Sequence, residues 1–198
     1  MKVAFDEHVP TAIAKAFIAF VKERAVQRIS KGLIWETAAD YAPKQSDNDY
    51  RRRSDVPWLD RFAAAQGHAV ISGDVKMRRR PHEKLALYQH GFVVIFFEHQ
   101  WSEWNFFKKS ALMLWWREEI ATKIKTADKG TFWIVPCSWP AKDGQLRNAS
   151  LGLAKLLKDA PARTAGKRTV RNRPPKKPKR GDDTRQAAFL DSLNGAAQ

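Results

Sequence analysis

The sequence predicts an α/β fold, a three-layer α/β/α sandwich with a mostly parallel central sheet, followed by a basic C-terminal tail. Three observations carry that expectation. Short apolar runs alternate with longer amphipathic stretches from Lys2 to Val135. One run, Gly91 to Phe97, is apolar almost throughout, as a strand covered on both faces must be. Three runs, KVAFDEH, HAVISGD and VVIFFEH, each close on an acid: Asp6 with Glu7, Asp74, and Glu98. Ligands of open parallel sheets bind beyond the strand C-termini, so acids in that position are collected from distant sequence into one crevice.

Taken in order, Lys2 to Phe5 reads as a short buried strand, and Val9-Pro10 introduces a helix with apolar positions at Ile13, Phe17, Phe20 and Val21. Leu33 to Thr37 is a second strand, and the polar stretch Pro43 to Ser54 an exposed loop placed to meet substrate. Asp55-Val56-Pro57 has the composition of a helix start, with Asp or Ser as cap and Pro in the first turn. Trp58, Leu59, Phe62 and Ala63 form its apolar face, and Gly67 ends it. His68 to Ser72 is a strand, Pro81 to Gln89 a helix, and Gly91 to Phe97 a strand. Asn105 to about Lys125 is one long helix, and Thr131 to Val135 a last strand. Leu151, Leu153, Leu156 and Leu157 suggest one more short helix. The expected division is a body over 1–140, a helical extension over 141–160, and a tail over 161–198.

Charge and composition narrow the function. The chain of 198 residues carries a net charge of +15, and residues 161–198 hold ten Lys/Arg against three Asp, leaving +8 on the rest. A basic surface around acidic strand ends suits a polyanionic substrate. As far as Arg180 the tail is dominated by Lys, Arg, Pro and Thr with almost no apolar content, and it cannot bury enough surface to fold, so it is read as largely disordered. Asp182-Asp183 followed by Ala187, Phe189, Leu190 and Leu193 fits a short terminal helix. Cys137 is the single cysteine, which excludes an internal disulfide and a thiolate zinc cluster. Acids interrupt the N-terminal apolar stretch and no run of about 18 apolar residues exists, so neither signal peptide nor membrane span is expected, and the expected location is cytoplasmic.

Carboxylates packed together repel one another, and a shared divalent cation holds several of them charged at neutral pH. The acids therefore point to Mg²⁺ or Mn²⁺ chemistry on a phosphate backbone. Each acid also has a structural reading: Asp6 as a cap for the following helix, Asp55 as a plain N-cap, Asp74 as a turn residue after Gly73. Asp60 rivals Asp55 but falls on a different side of the helix and is read as solvated.

The segment MKVAFDEHVP, a helix starting at Asp55, and AVISGD ending at Asp74 resemble, in that order, the PIN-like nucleases. The resemblance is strongest to the compact PIN-like proteins of bacterial toxin–antitoxin systems, the VapC-type ribonucleases, and it covers roughly residues 1–100. It implies a PIN-like nuclease domain that hydrolyses RNA with Mg²⁺ or Mn²⁺ at Asp6, Asp55 and Asp74, and an antitoxin protein as partner. Lys76-Met77 stands where an acidic-Phe pair often follows the last Asp, and the early-helix Glu of the superfamily has no clear counterpart. Glu7, Glu36, Asp40 and Glu98 compete for that fourth place. The alternative reading is a non-catalytic nucleic-acid-binding or interaction protein that keeps the fold.

Two arginine triplets flank the acids, Arg51, Arg52 and Arg53 before Asp55 and Arg78, Arg79 and Arg80 after Asp74, as a phosphate-tracking surface would. His8 reads as a structural imidazole or as a group that orients water or phosphate. Trp101 and Trp104 follow a strand end, where they could stack on unpaired bases. Trp115 and Trp116 lie within the long helix and fit core packing or a homodimer face.

Overall fold

A computed structural model of the chain describes residues 1–52, 54–74, 76–77, 80–138 and 145–150. Among these, strands β1 (Lys2–Phe5), β2 (Ile34–Thr37), β3 (Gly67–Ser72), β4 (Val93–Phe97), β5 (Phe132–Val135) and β6 (Arg147–Asn148) form one sheet in the order β2-β1-β3-β4-β5-β6. The first five are parallel, and β6 adds an antiparallel edge that the sequence reading did not foresee. The helices are α1 (Thr11–Phe20), α2 (Gln27–Ser30), α3 (Val56–Ala64), α4 (Pro81–Gln89), α5 (Phe106–Trp115) and α6 (Arg117–Thr126), with single 3₁₀ turns at Ala38–Asp40 and His99–Glu103.

Period-two alternation divides the core into two layers of contact. Val3, Phe5, Ala69, Ile71, Val93, Ile95 and Phe97 face α1, α5 and α6, while Ala4, Val70, Val94 and Phe96 face α3 and α4. All five β4 residues are buried, as its unbroken apolar run requires. Burying each of its large side chains contributes roughly 1.5–3 kcal/mol, so β4 anchors both layers.

Three local expectations are corrected. The long helix is two helices, broken at Trp116: its ring is fully buried while Trp115 is more than half exposed, so the chain turns there to keep the apolar stripe on the sheet. α3 ends at Ala64, and Gln66, at φ 62°, takes the left-handed turn, leaving Gly67 to open β3. A Cβ on Gly67 would lie 2.5 Å from the Phe62 ring, so this glycine serves close packing of α3 on β3. The second strand begins at Ile34 rather than Leu33, whose N–H donates to Ser30 O within the preceding turn. The expected helix around Leu151–Leu157 and the tail over 161–198 lie outside the described residues.

Candidate active site

The strand order reverses between β1 and β3: the chain steps from β1 outward to β2, then returns to lay β3 on the other side of β1. At such a switch point the connections leave in opposite directions and open a crevice beyond the strand ends. Asp6 follows β1 and Asp74 follows β3, so these two acids border that crevice. Asp55 approaches from the start of α3. The three are 1, 6 and 8 % exposed for Asp6, Asp74 and Asp55.

Ser72 joins the first two. Its hydroxyl donates to Asp6 Oδ2 at 2.6 Å and accepts from the Asp74 N–H at 3.0 Å. His8 lies across the same pair, Nδ1 at 3.3 Å from Asp6 Oδ2 and Nε2 at 3.9 Å from Asp74 Oδ2. The hydrogen bond to Asp6 lifts the His8 pKa to about 9 against the opposing effect of burial, with the charges of Asp6, Asp74 and Glu7 adding to the rise. His8 is therefore an imidazolium at neutral pH.

Asp55 does not cap α3. Its backbone is already helical and its side chain makes no cap hydrogen bond; Oδ1 instead accepts from Trp58 Nε1 at 3.4 Å. Burial, then the nearby charges of Asp6 and Glu83, pushes its pKa up to about 6. Asp6 likewise caps nothing, since α1 starts from Pro10 without a side-chain cap. Only Asp74 keeps part of its structural reading, with Oδ1 accepting the Lys76 N–H at 2.7 Å. Asp60 is more than half exposed and pairs with His90.

Arg80 closes the cluster. Its guanidinium donates to both oxygens of Glu83, at 2.9 and 3.0 Å, and lies 3.4 Å from Asp74 Oδ2 and 3.8 Å from Asp55 Oδ2. The Glu83 pairing raises the pKa of Arg80 further and keeps it charged. Glu83 is a fully buried acid in the first turn of α4 that sequence reasoning passed over. Its signal was an acid two residues after Pro81, which reads equally as a charge on a helix N-terminus.

His8, Asp55 and Arg80 line a cleft of about 430 Å³ together with Glu7, Tyr50 and Arg51. The loop that brings Tyr50 and Arg51 there is pinned to α3. Arg61 grips Asp49 through Nε and Nη2, at 2.8 and 2.6 Å, and Asp47 through Nη2 at 2.7 Å. Such bidentate pairing fixes orientation as well as charge. Arg52 is exposed beside Arg51, and Arg53, Arg78 and Arg79 lie outside the described residues.

Other expected residues stand elsewhere. Glu98 accepts the Cys137 N–H and pairs with Arg147, contacts that hold its carboxyl below the usual range and tie β4 to the far edge of the sheet. Trp101 is not a base platform: 1 % exposed, it stacks on Phe97 at 4.5 Å and has no open face. Trp104 is half-buried with Lys108 Nζ 4.0 Å above its ring. Glu7 is exposed on the cleft wall, whereas Glu36 accepts from Tyr41 and Asp40 from Thr37.

The residues able to hold a cation are Asp6 and Asp74, with Asp55 facing them. Asp6 Oδ1 and Asp74 Oδ2 are buried and accept no hydrogen bond, although His8 and Arg80 flank the second. Among the described residues no three His, Cys, Asp or Glu side chains converge as a ready cage. Mg²⁺ retains several waters and is bound through one or two carboxylates plus substrate phosphate, so this donor set fits it.

Residues 1–99, half of the chain, match the family model for the PIN like domain. The chain belongs to the PIN-like family. The match spans β1 to β4 and includes Asp6, Asp55 and Asp74 together with His8, Arg80 and Glu83. The family is nuclease-type in general function, and the six-stranded, mostly parallel sheet with helices on both faces is the PIN-like architecture. No curated protein and no solved structure matches the PIN-like chain. No helix among the described residues is long and apolar enough to cross a membrane.

Proposed function

We propose that this PIN-like domain hydrolyses RNA phosphodiester bonds, with Mg²⁺ or Mn²⁺ held by Asp6 and Asp74 and faced by Asp55. The observation that carries the reading is the pair of buried carboxylate oxygens that accept no hydrogen bond, Asp6 Oδ1 and Asp74 Oδ2, the second faced by Arg80 at 3.4 Å and His8 at 3.9 Å. A buried acceptor without a donor costs about 1–3 kcal/mol, and more when charged. Two of them, on carboxylates linked through one serine, form a site that positive charge from a ligand would satisfy. Asp6 and Asp74 would hold a divalent cation there, whose chemistry would be to acidify a bound water and to offset negative charge on the phosphate.

The remaining residues prepare that chemistry. Ser72 fixes Asp6 in one orientation. Arg80 balances the acids and, with Arg51, offers positive charge to a phosphate in the cleft. His8 holds a proton on the same rim. The test is cleavage of a labelled RNA in Mg²⁺ and in chelator: Asp6→Asn and Asp74→Asn should each lose at least about a hundredfold. Undiminished cleavage by both variants overturns the assignment. A toxin role belongs to the same reading, and growth arrest by the wild-type chain, relieved by Asp6→Asn, tests it.

Arg80 supports a second reading. Its contacts to Asp74, Asp55 and Glu83 neutralise the cluster from within the chain, as a non-catalytic nucleic-acid-binding PIN-like protein would require. RNA binding without cleavage in any divalent cation selects it.

A further inference from the structure

We infer that the start of α5 is a stacking platform for single-stranded RNA, formed by Phe107 with Phe106 and followed by Lys108, at the end of the turn that packs on Gly73. The choice of polymer rests on the hydrolysis reading above; the surface itself rests on separate observations. Phe107 is 80 % exposed and Phe106 44 %, an unusual pair of neighbouring aromatic rings left in water. They meet edge to face, centroids 5.7 Å apart at 89°. The Asn105 side chain caps α5 by accepting the Lys108 N–H at 2.9 Å, and Lys109 Nζ donates to Ser102 O at 3.0 Å. The platform is therefore held by the turn that precedes it.

That turn is seated against the site. Trp101 anchors it in the core, and a Cβ on Gly73 would lie 2.5 Å from the Trp101 ring and 2.5 Å from His8 O. Gly73 immediately precedes Asp74, so the turn leading to Phe107 packs on the loop that carries an active-site acid.

Charge selects the occupant. α5 reads FFKKSALMLW and contains no acid, while Lys108 follows the two rings in sequence and holds its ammonium 4.0 Å over the Trp104 ring. Protein interfaces favour aromatic residues but are depleted in Lys, whereas single-strand binding surfaces combine aromatic faces with cations along the backbone path. Base stacking tolerates any sequence, because every base offers a π-face.

The test is fluorescence anisotropy of the full chain with a labelled single-stranded RNA of about twelve nucleotides and with its duplex, in chelator to prevent cleavage. Phe107→Ala should weaken the single strand about tenfold and leave the duplex unchanged, while Phe107→Trp retains the affinity. Lys108→Ala should reduce the salt slope for the single strand by about 0.7. Equal single-strand affinity for wild type and Phe107→Ala overturns the platform, as does a Phe107→Ala change confined to self-association measured by sedimentation. Cleavage in Mg²⁺ separates the two readings. Active wild type with an unaltered Phe107→Ala removes the platform alone, and platform-dependent binding without cleavage removes the nuclease reading alone.

Discussion

The Ser72 hydroxyl donates to Asp6 Oδ2 over 2.6 Å while receiving the Asp74 N–H, so one fully buried serine sets the position of both acids. Hydrogen bonds to charged groups contribute about 1.5–3 kcal/mol. Ser72→Ala should destabilise the chain by about 2 kcal/mol in urea titration and lower cleavage about 10- to 100-fold, the range for partners that orient metal-binding carboxylates. Loss of stability without loss of activity would make Ser72 a core residue only.

The charge on His8 makes stability fall on the alkaline side. Its folded-state pKa, about 9, lies above the ordinary 6.5, so its contribution is complete below pH 6.5 and is lost as pH rises through about 9. Asp55 works in the same direction at lower pH: its pKa is raised from 3.8 to about 6, so its contribution is complete below pH 3.8 and lost as pH rises through about 6. In chelator the melting temperature should decline between pH 6.5 and 9, and His8→Gln should flatten that limb. An unchanged slope in His8→Gln would contradict the His8–Asp6 pairing.

Asp55 is held at a cost when no cation is bound. Burial and like charges disfavour its ionised form, so Asp55→Asn should raise the stability of the chelated chain by about 1–3 kcal/mol at pH 7.5. The same substitution should lower cleavage. A variant that loses both stability and activity would indicate that the Trp58 contact, rather than charge, governs this position.

Gly73 has no room for a side chain. The added methyl of Gly73→Ala would meet both His8 O and the Trp101 ring at 2.5 Å, and the His8 contact is backbone, which cannot rotate away. The expected cost is about 1–3 kcal/mol, with cleavage reduced more than melting predicts because Asp74 shifts with its loop. Thermal melting and cleavage measured side by side check this.

Much of this arrangement was legible in the chain itself. The acid-terminated runs put Asp6 and Asp74 beyond neighbouring strand ends because strand direction, once the sheet is parallel, decides where their ends go. Glu98 obeys the same rule yet falls outside the cluster, since Arg147 and the Cys137 N–H, reached only through tertiary folding, claim its oxygens. Glu83 escaped notice because an acid in a first helical turn has an ordinary electrostatic purpose, and nothing local reveals that it is buried against Arg80. The break at Trp116 was hidden for a similar reason. The helical period continues through it, and only the curvature needed to keep Leu112, Ile120 and Ile124 on one face requires the turn.

The most direct test is calorimetric titration of Mn²⁺ into the wild-type chain and into Asp6→Asn and Asp74→Asn. Saturable binding by the wild type, abolished or weakened at least about tenfold in each variant, is the predicted result. Absence of binding at millimolar Mn²⁺, or equal binding by all three proteins, would contradict the assignment of a cation site to Asp6 and Asp74.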